Sequence, residues 1–154
     1  MTITRKRRNP DRRVALVSAC ALGISCRYDG SGKPELSGLL PADLIPVPVC
    51  PEQMGGFPTP RPPARLTGGD GRAVLSGNGR VMNQDGQDIT AGFIRGAQEV
   101  ARIARLLGIG EAYLVEKSPS CGVSLTWTDD GLVPGMGVAA AALAAEGVKV
   151  MGIG

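Results

Sequence analysis

Residues 14–25 read VALVSACALGIS. Val14–Ser18 is a short, unbroken apolar run bounded by polar residues, which predicts a strand buried on both faces, as in a parallel sheet. A basic stretch precedes it, and basic-then-apolar is also the order of a secretory signal. A Cys and a Gly interrupt the run, however, and it leads straight into CRYDG (26–30). The reading is therefore a first buried strand followed by its loop.

The same rhythm repeats along the chain. LIPVPV (Leu44–Val49), AYLVE (Ala112–Glu116) and VKVMGI (Val148–Ile153) are further short apolar runs. The two prolines of LIPVPV predict an edge position for that strand, because proline donates no ladder hydrogen bond. A helix is expected over Ala91–Leu107, with Thr90 as N-cap and Gly108 just past its end. Its Phe93, Ala97, Val100, Ala101 and Ala104 keep helical spacing, and Arg95, Glu99, Arg102 and Arg105 take the other face. An alanine-rich second helix is expected over Gly137–Glu146, stopping at Gly147. Strands alternating with helices predict a single α/β domain, a small parallel sheet flanked by helices. Residues 53–90 break the rhythm. TGGDG, SGNG and QDGQD are turn signals, so this stretch is expected to be an ordered Gly/Pro-rich insertion or lid, with Asn78-Gly79 closing a hairpin. SGNG lacks the strand–GxGxxG–helix setting of a dinucleotide site.

The chain has 154 residues and a net charge of +3, but the charge is uneven. Residues 1–13 hold six Lys/Arg against one Asp, while the remainder holds eleven against thirteen Asp/Glu. Residues 1–13 are thus expected to be a flexible basic arm, and residues 14–154 the domain. The body is not a basic nucleic-acid binder, and aromatic residues for base stacking are few. No apolar run is long enough for a bilayer. A cytoplasmic location is expected, where thiols stay reduced and cysteines serve as ligands or catalysts rather than disulfides.

The cysteines carry the chemistry. Cys20 follows the first strand by two residues, Cys50 immediately follows the second, and Cys121 lies in KSPSCG (117–122) just after the third. In a parallel sheet the carboxyl ends of the strands share one edge, where ligands bind. Three cysteines distant in sequence would then meet in space, and Cys26, in the first of these loops, could join them. Each alone could be a small buried hydrophobe. Structural zinc usually shows paired CxxC spacings, which are absent. The chain has no histidine to activate a nucleophilic cysteine. An iron–sulfur cluster suits thiolate ligands, and three protein ligands would leave one iron open. Glu52 lies close enough to Cys50 to line the same pocket as a candidate general base. Ser118 and Ser120 flank Cys121, and Arg27, Tyr28 and Asp29 follow Cys26. Glu52 could equally be a solvated loop acid, the serines turn-formers and Asp29 half of an Asp-Gly turn.

SACALGISCRYDG, VCPEQMGGFPTPR, DITAGFIRGA and KSPSCG, in that order, resemble the thiouracil desulfidases, a bacterial family formerly catalogued as a domain of unknown function. The resemblance covers the chain from about Val14 onward. It departs at Ala21, where the family usually has Leu, and in the basic arm. It implies a Rossmann-like domain with one [4Fe-4S] cluster held by Cys20, Cys50 and Cys121, with Cys26 outside the coordination shell. It also implies catalytic roles for Glu52 and Ser118. The expected reaction is non-redox removal of sulfur from a small thio-nucleobase such as 4-thiouracil, giving uracil and sulfide, with cluster-assembly proteins as partners. Two alternatives stand beside it: action on thiolated nucleotides or tRNA, and a cluster-binding redox sensor without turnover. Arg27 and Arg61 are candidates to hold a substrate carbonyl or phosphate, or plain surface charges. Whether the protein is a monomer or a dimer is left open.

Overall fold

The computed structural model describes residues 11–154. In chain order the elements are β1 (Arg13–Ser18), β2 (Leu44–Val49), α1 (Pro51–Met54), β3 (Ala64–Thr67), α2 (Gly71–Leu75), β4 (Arg80–Asn83), α3 (Thr90–Leu107), β5 (Glu111–Val115), β6 (Leu125–Thr128), β7 (Gly131–Pro134), α4 (Val138–Ala145) and β8 (Lys149–Ile153). Residues 1–10 of the expected arm lie outside the described residues; Arg13 already belongs to β1 and pairs with Asp43 and Glu111. No helix among the described residues is long and apolar enough to cross a membrane.

The four expected strands form one all-parallel sheet in the order β2-β1-β5-β8. Strand β2, with its two prolines, takes an edge as expected. The pleat divides β1 between two cores. Leu16 joins Leu114, Val100, Ala104 and Leu143 under α3 and α4. Ala15 and Val17 face the other way with Tyr113, Val115 and Leu44. That second face is covered by short 3-10 turns at Ala19–Leu22 and Pro34–Leu39, which supply Ala21 and Leu36. The sheet is thus buried on both sides, which is why its strands are apolar without interruption.

A second sheet, β4-β3-β6-β7, is the main addition to the sequence reading. Residues 53–90 are ordered, as expected, but they supply β3, α2 and β4 to this sheet rather than a free lid. Strands β6 and β7, a hairpin over residues 125–134, complete it through a parallel contact between β3 and β6. Leu66, Val74 and Val81 pack there against Phe93, Ala97 and Val138, so α3 and α4 serve both sheets. Strands β3 and β4 do pair antiparallel, but α2 lies between them. Asn78-Gly79 is therefore the turn leaving α2, not a two-residue hairpin.

Helix α3 begins at Thr90, which is its first residue rather than its cap. The Asp88 carboxylate does the capping, accepting from the Thr90 N–H and hydroxyl. The Thr90 oxygen in turn accepts the Val81 N–H, tying the helix start to β4. At the other end Gly108 takes the left-handed conformation, φ 63°, as expected of a helix-terminating glycine. Helix α1 sits directly on α3. The carbonyl of Pro51 lies where a Cβ on Gly96 would be, 1.9 Å away, so only glycine allows the approach.

Candidate functional site

The site lies at the carboxyl ends of β2, β1 and β5. Strand β1 ends at Ser18, and the following turn carries Cys20. Strand β2 ends at Val49, so Cys50 opens α1 and places Glu52 in its first turn. Strand β5 ends at Val115, and the loop beyond it returns through Ser118 and Cys121. These three loops, with β3 and the β6–β7 hairpin, border a cavity of about 630 Å³ whose wall includes all four cysteines, Glu52 and Ser118. All four thiols are free. The convergence expected from strand order is therefore present, and Cys26 shares it.

The thiols are not equivalent. Cys20 and Cys50 are both drawn below the ordinary thiol range, first by a hydrogen bond from Cys26. Arg27 adds to this at Cys20; the Gln53 N–H at the start of α1, and then Arg61, add to it at Cys50. Cys26 moves up, because the neighbouring thiols of Cys20 and Cys50, and then its own burial, favour its protonated form. Burial pushes Cys121 up, and the Ser18 hydroxyl partly offsets this by hydrogen bonding to its sulfur. Ser18 is fixed in turn by the Val115 N–H, which its oxygen accepts at 3.0 Å.

Glu52 is held on both oxygens. Its Oε1 accepts from Arg61 Nε at 2.9 Å, and its Oε2 accepts from the Ser120 hydroxyl at 3.2 Å. Arg61 is no surface charge, since its side chain is only 6% exposed. Beyond Glu52 it donates to the carbonyl of Cys26 at 2.8 Å and to Pro58 and Thr59. Its N–H also binds the carbonyl of Tyr28. One guanidinium thus joins the Cys26 loop to the helix that follows Cys50, and Ser120 extends the link to the Cys121 loop.

Ser118 has a different job from Ser120. Its oxygen accepts the N–H groups of Ser120 and Cys121, each at 3.1 Å, which shapes the turn that presents Cys121. Its proton remains available toward the cavity. The loop is braced from beneath by Glu116, whose carboxylate accepts the N–H groups of Val123 and Ser124. Lys117, on the cavity wall, has φ 73°, a strained backbone for a non-glycine residue. Asp29 closes a turn by accepting from Ser31 and lies outside the cavity wall. Arg27 bonds Ser31 and stands 5.6 Å from the Tyr28 ring centroid. Sequence reasoning did not single out the Ser18–Cys121 contact or the buried Arg61–Glu52 pair.

Comparison with known proteins shows the family. The family model described as 2-thiouracil desulfurase matches residues 15–153. This chain belongs to that family. A relative from Bacillus subtilis (strain 168), the uncharacterized protein YbbK, is 39% identical over 140 residues, covering 88% of this chain and 93% of its own. The solved structure of TudS, a [4Fe-4S]-dependent thiouracil desulfidase, is similar with a TM-score of 0.73 and 33% identity, covering 92% of this chain and 91% of that one. Membership in the 2-thiouracil desulfurase family makes this chain an enzyme and sets aside the sensor without turnover.

The donor set can be tested against such a cluster. Among the described residues no three His, Cys, Asp or Glu side chains close on a point suited to a single metal ion. A cube of four irons needs its thiolates spread more widely than one ion does. Four free thiols around one cavity, in a chain without histidine, suit iron–sulfur ligation. Arg27, Lys33 and Arg61 on the same wall offset the negative charge of thiolates.

Proposed function

We propose that this chain is a [4Fe-4S]-dependent desulfidase acting on thiouracil or a close thiocarbonyl heterocycle, with Cys20, Cys50 and Cys121 as the cluster ligands. The observation that carries the reading is the meeting of those three thiols and the Glu52 carboxylate on one cavity at the sheet edge. When bound, the cluster supplies a thiophilic Lewis-acid iron, which polarises a C=S bond without any net electron transfer.

The protein's own groups supply the proton chemistry. Water adds to the thiocarbonyl carbon, the C–S bond breaks, and the products are the oxo-heterocycle and hydrogen sulfide. Glu52 Oε2 takes one proton from the attacking water and returns it to the departing sulfur, and the second water proton leaves the hydroxyl as the carbonyl forms and completes hydrogen sulfide. Arg61 and Ser120 fix the carboxylate in one orientation, so it meets the water without a rotamer search. The Ser118 hydroxyl, anchored through its oxygen, directs its proton toward the reacting water or the ring. Cys26 stays outside the ligand set, its thiol beside those of Cys20 and Cys50.

A second reading concerns the size of the substrate. The cavity wall carries Arg27, Lys33, Arg65 and Lys117, a cationic set that suits a phosphate on a thiolated nucleotide. Comparing rates on 4-thiouracil and its nucleotide separates the two.

The test of the reaction uses anaerobically purified protein. Parent and Glu52→Gln should both contain iron and labile sulfide in [4Fe-4S] proportion. The parent should release uracil and sulfide from 4-thiouracil, and the variant should be slower by about 10²–10⁴-fold, the usual contribution of a positioned general base. Turnover of Glu52→Gln at the parental rate removes Glu52 from the mechanism. A loaded parent that releases no sulfide from any thiocarbonyl heterocycle removes the desulfidase reading.

A further inference from the structure

The chain has five aromatic residues: one Trp, two Tyr and two Phe. Three belong to the interior. Tyr113 and Phe93 are buried, and Phe57 packs on Phe93 with ring centroids 5.5 Å apart. The other two, Trp127 at 48% and Tyr28 at 42% exposure, are open to solvent, and both line the cavity that holds the four cysteines. Every aromatic side chain spared from the core therefore borders the reaction cavity.

The two come from opposite parts of the fold. Tyr28 lies in the loop after β1, where its carbonyl is fixed by Arg61 and its ring is faced by Arg27. Trp127 is in the middle of β6, opposite Leu132 of β7. Its neighbour Thr126 is fully buried, so the alternation of the strand turns the indole outward. An indole on a short hairpin has few rotamers to lose when a ring settles on it. Leaving it half in water instead keeps a large apolar face uncovered.

We propose that Trp127, assisted by Tyr28, is the stacking platform for the substrate's planar ring, and that it selects heteroaromatic thiocarbonyl compounds over non-aromatic thioamides. The proposal rests on the desulfidase reading and names the residues that recognise the ring. Stacking does not depend on which edge of the ring carries sulfur, so it holds the ring while Glu52 and the cysteines address its reactive carbon.

The experiment uses the loaded enzyme, and Trp127 is its own reporter as the sole tryptophan. Uracil, the sulfur-free product, should give a saturable change in Trp127 fluorescence. Dihydrouracil, which keeps the same imide edge but is neither planar nor aromatic, should bind far more weakly. Trp127→Ala should raise KM for 4-thiouracil by ~5- to 150-fold, the range for losing one base–aromatic stack, with kcat little altered. Trp127→Phe should recover part of the loss, and Tyr28→Ala should show a smaller rise. Equal binding of uracil and dihydrouracil overturns the proposal, as does an unchanged KM in Trp127→Ala. So does a fluorescence change that follows protein concentration rather than ligand, which would assign the indole to contact between copies. A parent that binds uracil with the expected signal yet releases no sulfide sinks the desulfidase reading and leaves the stacking platform standing.

Discussion

Replacing Arg61 with alanine should cost far more than replacing Arg65, although each arginine pairs with one carboxylate. The Arg61 and Glu52 side chains are 6% and 15% exposed, and the guanidinium also satisfies the carbonyls of Cys26 and Pro58 and the hydroxyl of Thr59. Removing it leaves a nearly buried carboxylate without its counter-charge. Breaking a buried pair from one side typically costs ~3–5 kcal/mol. For a chain of this size each kcal/mol moves the unfolding midpoint by about 2–4 °C, so the expected drop is ~6–20 °C. Arg65 and Asp129 are 44% and 47% exposed, and such a pair contributes ~0–1 kcal/mol. Arg65→Ala should therefore shift the midpoint by at most a few degrees. Arg61→Lys should fall between, since an ammonium keeps the charge but cannot span Glu52 and the Cys26 carbonyl with one planar fork. The assay is thermal unfolding of anaerobic, cluster-loaded protein followed by circular dichroism, with iron content measured beforehand. Equal midpoints for Arg61→Ala and Arg65→Ala would refute the reasoning, because burial would then not govern the cost.

Gly96→Ala should force α1 off α3, because the new Cβ meets the Pro51 carbonyl at 1.9 Å. Overpacking of this kind costs ~1–3 kcal/mol or more, and the displaced helix follows Cys50 directly, so both unfolding midpoint and iron retention should fall. A variant that melts and loads like the parent would show that α1 has room to move. Asp88 predicts a pH dependence. Hydrogen bonds from the Thr90 side chain and backbone, and the Arg80 partner, hold its carboxyl at about 2, below the ordinary carboxylate range. Its stabilisation is therefore present above pH ~4 and is lost as pH falls toward about 2. Asp88→Asn should be less stable than the parent at neutral pH, and urea midpoints of the two should draw together between pH ~4 and ~2. A gap that stays constant to the lowest pH would remove Asp88 as the cause.

The parallel sheet was legible because burial on both faces leaves unbroken apolar runs such as Val14–Ser18, and strand order then places Cys20, Cys50 and Cys121 on one edge. The second sheet was not, because its strands are four residues long and partly exposed, and two of them sit in Gly/Pro-rich sequence. One signal was in plain view: Asp129 and Asp130 join β6 to β7 and Gly131 opens β7 at positive φ, a run of turn-forming residues. At the site, nearness to a cysteine pointed to Glu52 and to both Ser118 and Ser120, and only the family resemblance implied a role for Ser118 in particular. Which serine touches Glu52 could not be singled out, since Ser118 and Ser120 lie two apart and only the turn decides that Ser120 reaches it. The role of Arg61 was hidden for the same reason, as its partners lie in three separate segments.

The placement of the three proposed ligands has a consequence for biogenesis. Short CxxC motifs can capture iron while a chain is still emerging. Here Cys20 lies near the start, Cys121 falls in the last third, and β5 must already stand beside β1 before the two thiols share a cavity. With that ligand set, the cluster would be the last part to arrive, in a domain that has already folded. It would then fasten three distant segments together, so that losing iron loosens the very edge of the sheet where substrate enters.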